Sequence, residues 1–108
     1  MKEWSGLLGA ELERWPGVRT KPMFGFASFY RGRNIFAALP KTRALHSANS
    51  IIFKLHRASP QDLAKLRRDP RAQVSGKGMK GWHALEVSST ADLKHALDWL
   101  DRAYRAAR

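Results

Sequence analysis

Residues 18–30 and 33–39 both have strand-like composition, and only Arg31-Gly32 lies between them. A connection that short can make a hairpin turn, which would pair the two runs antiparallel. The first run is rich in Val, Met, Phe and Tyr, and the second reads Arg-Asn-Ile-Phe-Ala-Ala-Leu. With an even number of loop residues, one face holds Phe24, Phe26, Ser28, Tyr30, Ile35, Ala37 and Leu39. The other face holds Gly25, Ala27, Phe29, Phe36 and Ala38. The first set is bulkier and is assigned to the core, which leaves the second on an uncovered face.

The flanking segments supply the rest of the fold. Residues 3–15 predict a helix with Trp4, Leu7, Leu8, Leu12 and Trp15 on one stripe, stopped by Pro16-Gly17. Residues 51–55 predict a strand with Ile51, Phe53 and Leu55 inward. Ser59-Pro60-Gln61-Asp62 opens a second helix with a serine cap, a proline at the first position and an acid at the third. Asp69-Pro70 ends it. Residues 72–75 and 82–88 predict a strand pair, with His83, Leu85 and Val87 inward. Ser89-Thr90-Ala91-Asp92 is a second capping pattern. It opens a helix whose stripe is Leu93, Ala96, Leu97, Leu100, Tyr104 and Ala107, with Trp99 off that stripe. Together these predict one domain over residues 1–108, a two-layer α+β fold. An antiparallel sheet carries helices on one face, in the order α-β(3)-α-β(2)-α.

Composition narrows the function classes. A chain of 108 residues buries one core, and 44% apolar residues is ordinary globular content. The absence of cysteine removes disulfides, thiolate metal sites and cysteine nucleophiles. No apolar run reaches the roughly 20 residues of a membrane span, and Met1-Lys2-Glu3-Trp4 does not open a secretory signal. The expectation is a soluble cytoplasmic domain.

The stretch Lys21-Pro22-Met23-Phe24-Gly25-Phe26, followed by Tyr30-Arg31-Gly32-Arg33-Asn34-Ile35-Phe36-Ala37, resembles the N-terminal domain of TfoX-type proteins. Gly78-Met79-Lys80-Gly81-Trp82 and the Ala/Leu-rich residues 90–107 are similar to the end of that domain. The resemblance spans roughly residues 15–107, with residues 40–50 as extra length between strands. It implies the α-β(3)-α-β(2)-α order and a regulatory role, linked to competence in full-length members, with no catalytic residues to carry over. From Trp82 onward the chain is also similar to a small domain found beside luciferase-type proteins.

Charge is the strongest chemical signal. The chain has 20 Lys+Arg against 9 Asp+Glu, a net charge of +11. Residues 14–61 hold nine of the bases and no acid. Release of counterions from phosphates favours nucleic-acid binding by such a run, and solvent-facing aromatics among Phe24, Phe26, Phe29, Tyr30, Phe36 and Phe53 can stack bases. Arg19, Lys21, Arg31 and Arg33 are the candidate contacts. Lys77 and Lys80 join them in the glycine-rich segment 76–81, which is either an anion-binding nest or a hairpin turn. His46, His56, His83 and His95 have no metal-ligand spacing, and the serines have no acid–base partner nearby. Glu86 is expected to pair with Lys54 across the uncovered face.

The reading is a non-enzymatic interaction or regulatory module without cofactor. It is expected to self-associate or bind a protein through Phe29, Phe36, Ala27 and Ala38, with Trp99 adding to the contact. The alternatives are a non-specific nucleic-acid binder using residues 14–61, and a small-molecule or anion sensor at the 76–81 loop.

Overall fold

A computed structural model of the chain describes residues 3–23, 25–40, 50–74 and 81–107. It has three helices: α1 (Glu3–Glu13), α2 (Pro60–Arg68) and α3 (Leu93–Ala106). Its strands are β1 (Val18–Met23), β2 (Phe26–Arg31), β3 (Asn34–Pro40), β4 (Ser50–Lys54), β5 (Ala72–Val74) and β6 (Trp82–Glu86). All pairings are antiparallel, in the order β1-β2-β3-β4-β6-β5. The three helices pack into one core on one face of this sheet. The result is the two-layer α+β fold that the sequence predicts. No helix among the described residues is long and apolar enough to cross a membrane.

One difference lies in the run 18–30. It is two strands rather than one, because the chain reverses at Gly25, whose φ of 87° suits glycine. Arg31 then pairs with Asn34, leaving Gly32-Arg33 as a two-residue loop. Gly32, at φ 61°, occupies the first loop position, where tight hairpins put glycine.

The hairpin loop is even, as expected, yet the faces come out differently. Tyr30 pairs with Ile35, but Phe29 pairs with Ala37. Phe36 is therefore an extra residue, a β-bulge, and it inverts the parity of everything beyond it. Ala37 and Leu39 point into the core as predicted, but they share their face with Ala27 and Phe29, not with Phe26 and Ser28. Phe29 and Phe36 are completely enclosed, and the Phe36 ring stacks at 6.5 Å on Trp15 and meets Tyr104 edge-on at 5.6 Å. The expectation of an uncovered face bearing Phe29, Phe36 and Ala27 is thus corrected: all three lie beneath the helices. Ala38 alone of that set lies opposite them, in a small cluster with Phe26, Ile52 and Ala84. Those four are buried, so the middle of that face is not bare.

The helix ends follow local chemistry. The Ser59 side chain accepts from the Asp62 backbone N–H and the Asp62 carboxylate accepts from the Ser59 N–H, a complete capping box with Pro60 in the first turn. Before α3 the pattern is offset by a 3-10 turn over Thr90–Asp92, and Asp92 accepts from the Ser88 N–H at 3.0 Å. At the other end of α3 the open carbonyls are met by the β2–β3 hairpin. The Arg31 guanidinium donates to the Tyr104 carbonyl at 3.0 Å, and Asn34 Nδ2 donates to the Ala107 carbonyl at 3.0 Å. In α1, Leu7 departs from its predicted stripe and is exposed, while Trp4, Leu8 and Leu12 are buried.

His83 lies inward on β6, as predicted, 5.7 Å from the Phe53 ring. Its Nδ1 is buried without a partner among the described residues. Burial disfavours the imidazolium and pushes the pKa of His83 below 6.5. The unfolded chain therefore binds this proton more readily than the folded one. Stability is complete above the unfolded value and falls as pH drops through it. Denaturation curves should show a loss beginning near pH 6.5 on the way to pH 5. His83→Phe should flatten that segment without lowering stability at neutral pH.

Candidate functional site

The ion pairs divide the molecule. Arg71 binds Asp92 at 2.8 Å, Arg102 binds Asp62 at 3.1 Å, Arg105 binds Asp101 at 3.1 Å, and Lys65 binds Asp98 at 3.5 Å. Arg14 pairs with Glu11 within α1 and its following turn. Asp62, Asp98 and Asp101 also line a cleft between α2 and α3 with Arg102 and Arg105. The helical layer thus carries nearly all the described carboxylates and pairs most of them locally, while Glu13 accepts from the Thr20 hydroxyl.

The opposite face is built differently. On β1, Arg19 stands opposite Tyr30, and Lys21 opposite Ser28. Cross-strand partners share a face, so Arg19, Lys21, Tyr30 and Ile35 lie together on the side away from the helices. The Lys21 ammonium sits 5.3 Å from the Tyr30 ring centroid. On the neighbouring strands, Lys54 is directly opposite Trp82 on the same face. Arg33 is exposed at the hairpin tip. Arg19 and Lys21 are exposed, while Tyr30, Lys54 and Trp82 are half-buried. Arg19, Lys21, Arg33 and Lys54 enter no ion pair recorded among the described residues. Glu86, the acid on this face, stands opposite Ser50 four residues from Lys54, so the expected Glu86–Lys54 pair is absent; Glu86 accepts from the Ser88 hydroxyl instead.

The other sequence candidates divide. Arg31 points to the helical side, where its guanidinium also lies 4.2 Å from the Tyr104 ring centroid. It is a clamp on α3, not part of the basic face. Lys77, Lys80 and His46 lie outside the described residues. Ser28 is fully buried, with its hydroxyl lacking a partner among the described residues. His56 Nε2 is 2.8 Å from the Ile35 carbonyl oxygen, a link from the end of β4 to β3. No group of three His, Asp or Glu side chains among the described residues is placed to hold a metal.

Trp99 corrects a further expectation. It is completely buried, stacked at 5.5 Å on Phe53. Its Nε1–H donates to Asp69 Oδ2 at 2.8 Å. The same oxygen lies 2.6 Å from His95 Nε2, and Oδ1 accepts from the Arg71 N–H at 2.9 Å. Burial pushes the Asp69 pKa up, but the donors Trp99, Arg71 and His95 outweigh it and hold the carboxyl below 3.8. This cluster joins the end of α2 to α3. Reading Asp69-Pro70 only as a helix stop missed it, and the His95–Trp99 spacing of four residues on a helix was the available signal. Each group in it is engaged in holding two elements together.

Sequence reasoning also placed Tyr30 in the core and named Trp82 only within the resemblance and as the first residue of a predicted strand. The register of β4 on β6, which sets Trp82 beside Lys54, is a long-range property. No protein-family model, curated protein or solved structure matches the chain.

Proposed function

We propose that this domain binds nucleic acid, gripping the phosphate backbone with the face of the sheet opposite its helices. The observation that carries the reading is the segregation of charge. Most carboxylates of the helical layer are paired with cations of that layer, where Arg67, Arg68 and Lys94 also stand outside the recorded ion pairs; Arg19, Lys21, Arg33 and Lys54 gather around Tyr30 and Trp82 on the face whose described acid is Glu86. Phosphates attract such a surface without sequence preference, in proportion to the cations that meet them. The paired α2–α3 surface offers a phosphate three carboxylates along with its two arginines.

The test is binding of a labelled oligonucleotide followed by fluorescence anisotropy across salt concentrations. Affinity should fall steeply between about 50 mM and about 200 mM salt. Arg19→Ala with Lys21→Ala should weaken binding and lower the log–log salt slope by about 1.4 for a single strand, two contacts at ~0.7 each. Arg31→Ala should leave the slope unchanged while lowering stability by about 2 kcal/mol, because it removes a charged hydrogen bond and a ring contact at the end of α3. Absence of binding at the lowest salt contradicts the reading.

A regulatory module of the TfoX N-terminal type is the second reading. It is favoured by the glycine turn at Gly32 between the aromatic strand and the Phe36-Ala37 strand and by an element order that differs from the implied one by a single added strand before α2. Self-association in that reading needs a surface other than Phe29 and Phe36, which the helices enclose. Sedimentation at high concentration tests it: a reversible dimer supports it, and a strict monomer removes the self-associating form.

A further inference from the structure

Resting on the nucleic-acid reading, we infer that the preferred ligand is an unpaired strand rather than a duplex, with bases stacking on Tyr30 and Trp82. The two rings lie on the same face and near the same end of the sheet. Arg19, Tyr30 and Ile35 form one cross-strand row, and Lys54 and Trp82 form the next pair. Between Tyr30 on β2 and Trp82 on β6 lie β3 and β4, so three strand spacings of ~4.8 Å separate the ring positions by roughly 14 Å. Each ring has a cation at hand: Lys21 at 5.3 Å from the Tyr30 centroid, and Lys54 directly across from Trp82. Both rings stay partly exposed, whereas the aromatics of the other face are enclosed.

Cations and aromatic rings side by side on neighbouring rows suit a strand whose bases are free to leave their stack. A duplex keeps its bases stacked inside and offers a sheet face only phosphates. Reading a major groove takes a helix or a two-stranded ribbon that enters it. The outer surface between α2 and α3 is lined by Asp62, Asp98 and Asp101. At the β2–β3 ribbon tip Arg33 is exposed, but Arg31 is turned back onto α3. The geometry therefore favours a ligand that lies across the strands and stacks. DNA and RNA single strands are the two sources of the same chemistry.

The experiment uses the full chain with oligo(dT), oligo(rU) and a mixed-sequence duplex, each of about 16 units to cover the site sizes of such surfaces. Anisotropy gives affinity, and quenching of tryptophan emission reports stacking. Single strands should bind about tenfold or more tighter than the duplex. Tyr30→Ala and Trp82→Ala should each weaken single-strand binding by about tenfold to a hundredfold and leave duplex binding and its salt slope unchanged. Tyr30→Leu and Trp82→Leu keep apolar bulk on the sheet, and with circular dichroism they separate lost stacking from lost fold. Equal affinity for duplex and single strand, with the leucine variants folded and binding as wild type, overturns this inference and leaves the nucleic-acid reading standing. Absence of binding to all three probes at low salt overturns both. Preference for oligo(dT) or for oligo(rU) over the duplex supports the inference equally and identifies the source.

Discussion

Replacing Trp99 with alanine should cost about 3–5 kcal/mol of stability, a large part of the total available to a domain of this size. The melting temperature should fall by roughly 20 °C. Trp99 is completely enclosed and its ring stacks on Phe53, itself completely enclosed, so truncation opens a cavity where helix meets sheet. The loss has a second part. Asp69 is nearly buried and relies on the Trp99 N–H as a donor, and the alanine variant takes that donor away. Trp99→Phe isolates this part: it keeps a stacked ring and should cost about 1–2 kcal/mol. Urea denaturation of the three proteins measures both steps.

Asp69→Ala should cost about 3 kcal/mol, because the Trp99 N–H is then buried without its acceptor while His95 and the Arg71 N–H lose theirs. The effect carries a pH signature. The folded carboxyl titrates below 3.8, so its contribution is complete above that value and is lost as pH falls through the lower folded value. The gap between wild type and Asp69→Ala should therefore be constant from pH 5 upward and close toward the acid end. The His83 window begins at 6.5, so the two groups are separable in one series of curves. Since Asp69 and Trp99 touch directly, the double variant should lose less than the sum of the two singles.

What could be read from the sequence was what local chemistry decides. The Ser59-Pro60-Asp62 cap is a property of four consecutive residues, and it forms as written. The alternation of Ile51, Phe53 and Leu55, and of His83, Leu85 and Val87, also survives, because no bulge interrupts β4 or β6. The faces of β2 could not be read. One extra residue at Phe36 changed which β3 residues share a face with them, and that register shift lies in the pairing of two strands rather than in either strand's own alternation. Trp99 fell off the helical stripe because periodicity weighs only the helix itself. The partner that makes an indole welcome there, Asp69, comes from 30 residues earlier. The basic middle of the chain was visible as composition. Its division into Arg19 and Lys21 on one face and Arg31 on the other needed the strand register. Tyr30 was misplaced by the same parity error that misplaced Phe29.

Titration of the isotopically labelled protein with a short oligonucleotide, followed by backbone amide NMR, asks most directly which side of the sheet meets the ligand. Progressive, salt-sensitive shifts at Arg19, Lys21, Tyr30, Lys54 and Trp82, with Asp62, Asp98 and Arg102 still, are the predicted result. Shifts confined to α2 and α3, or none at low salt, contradict it.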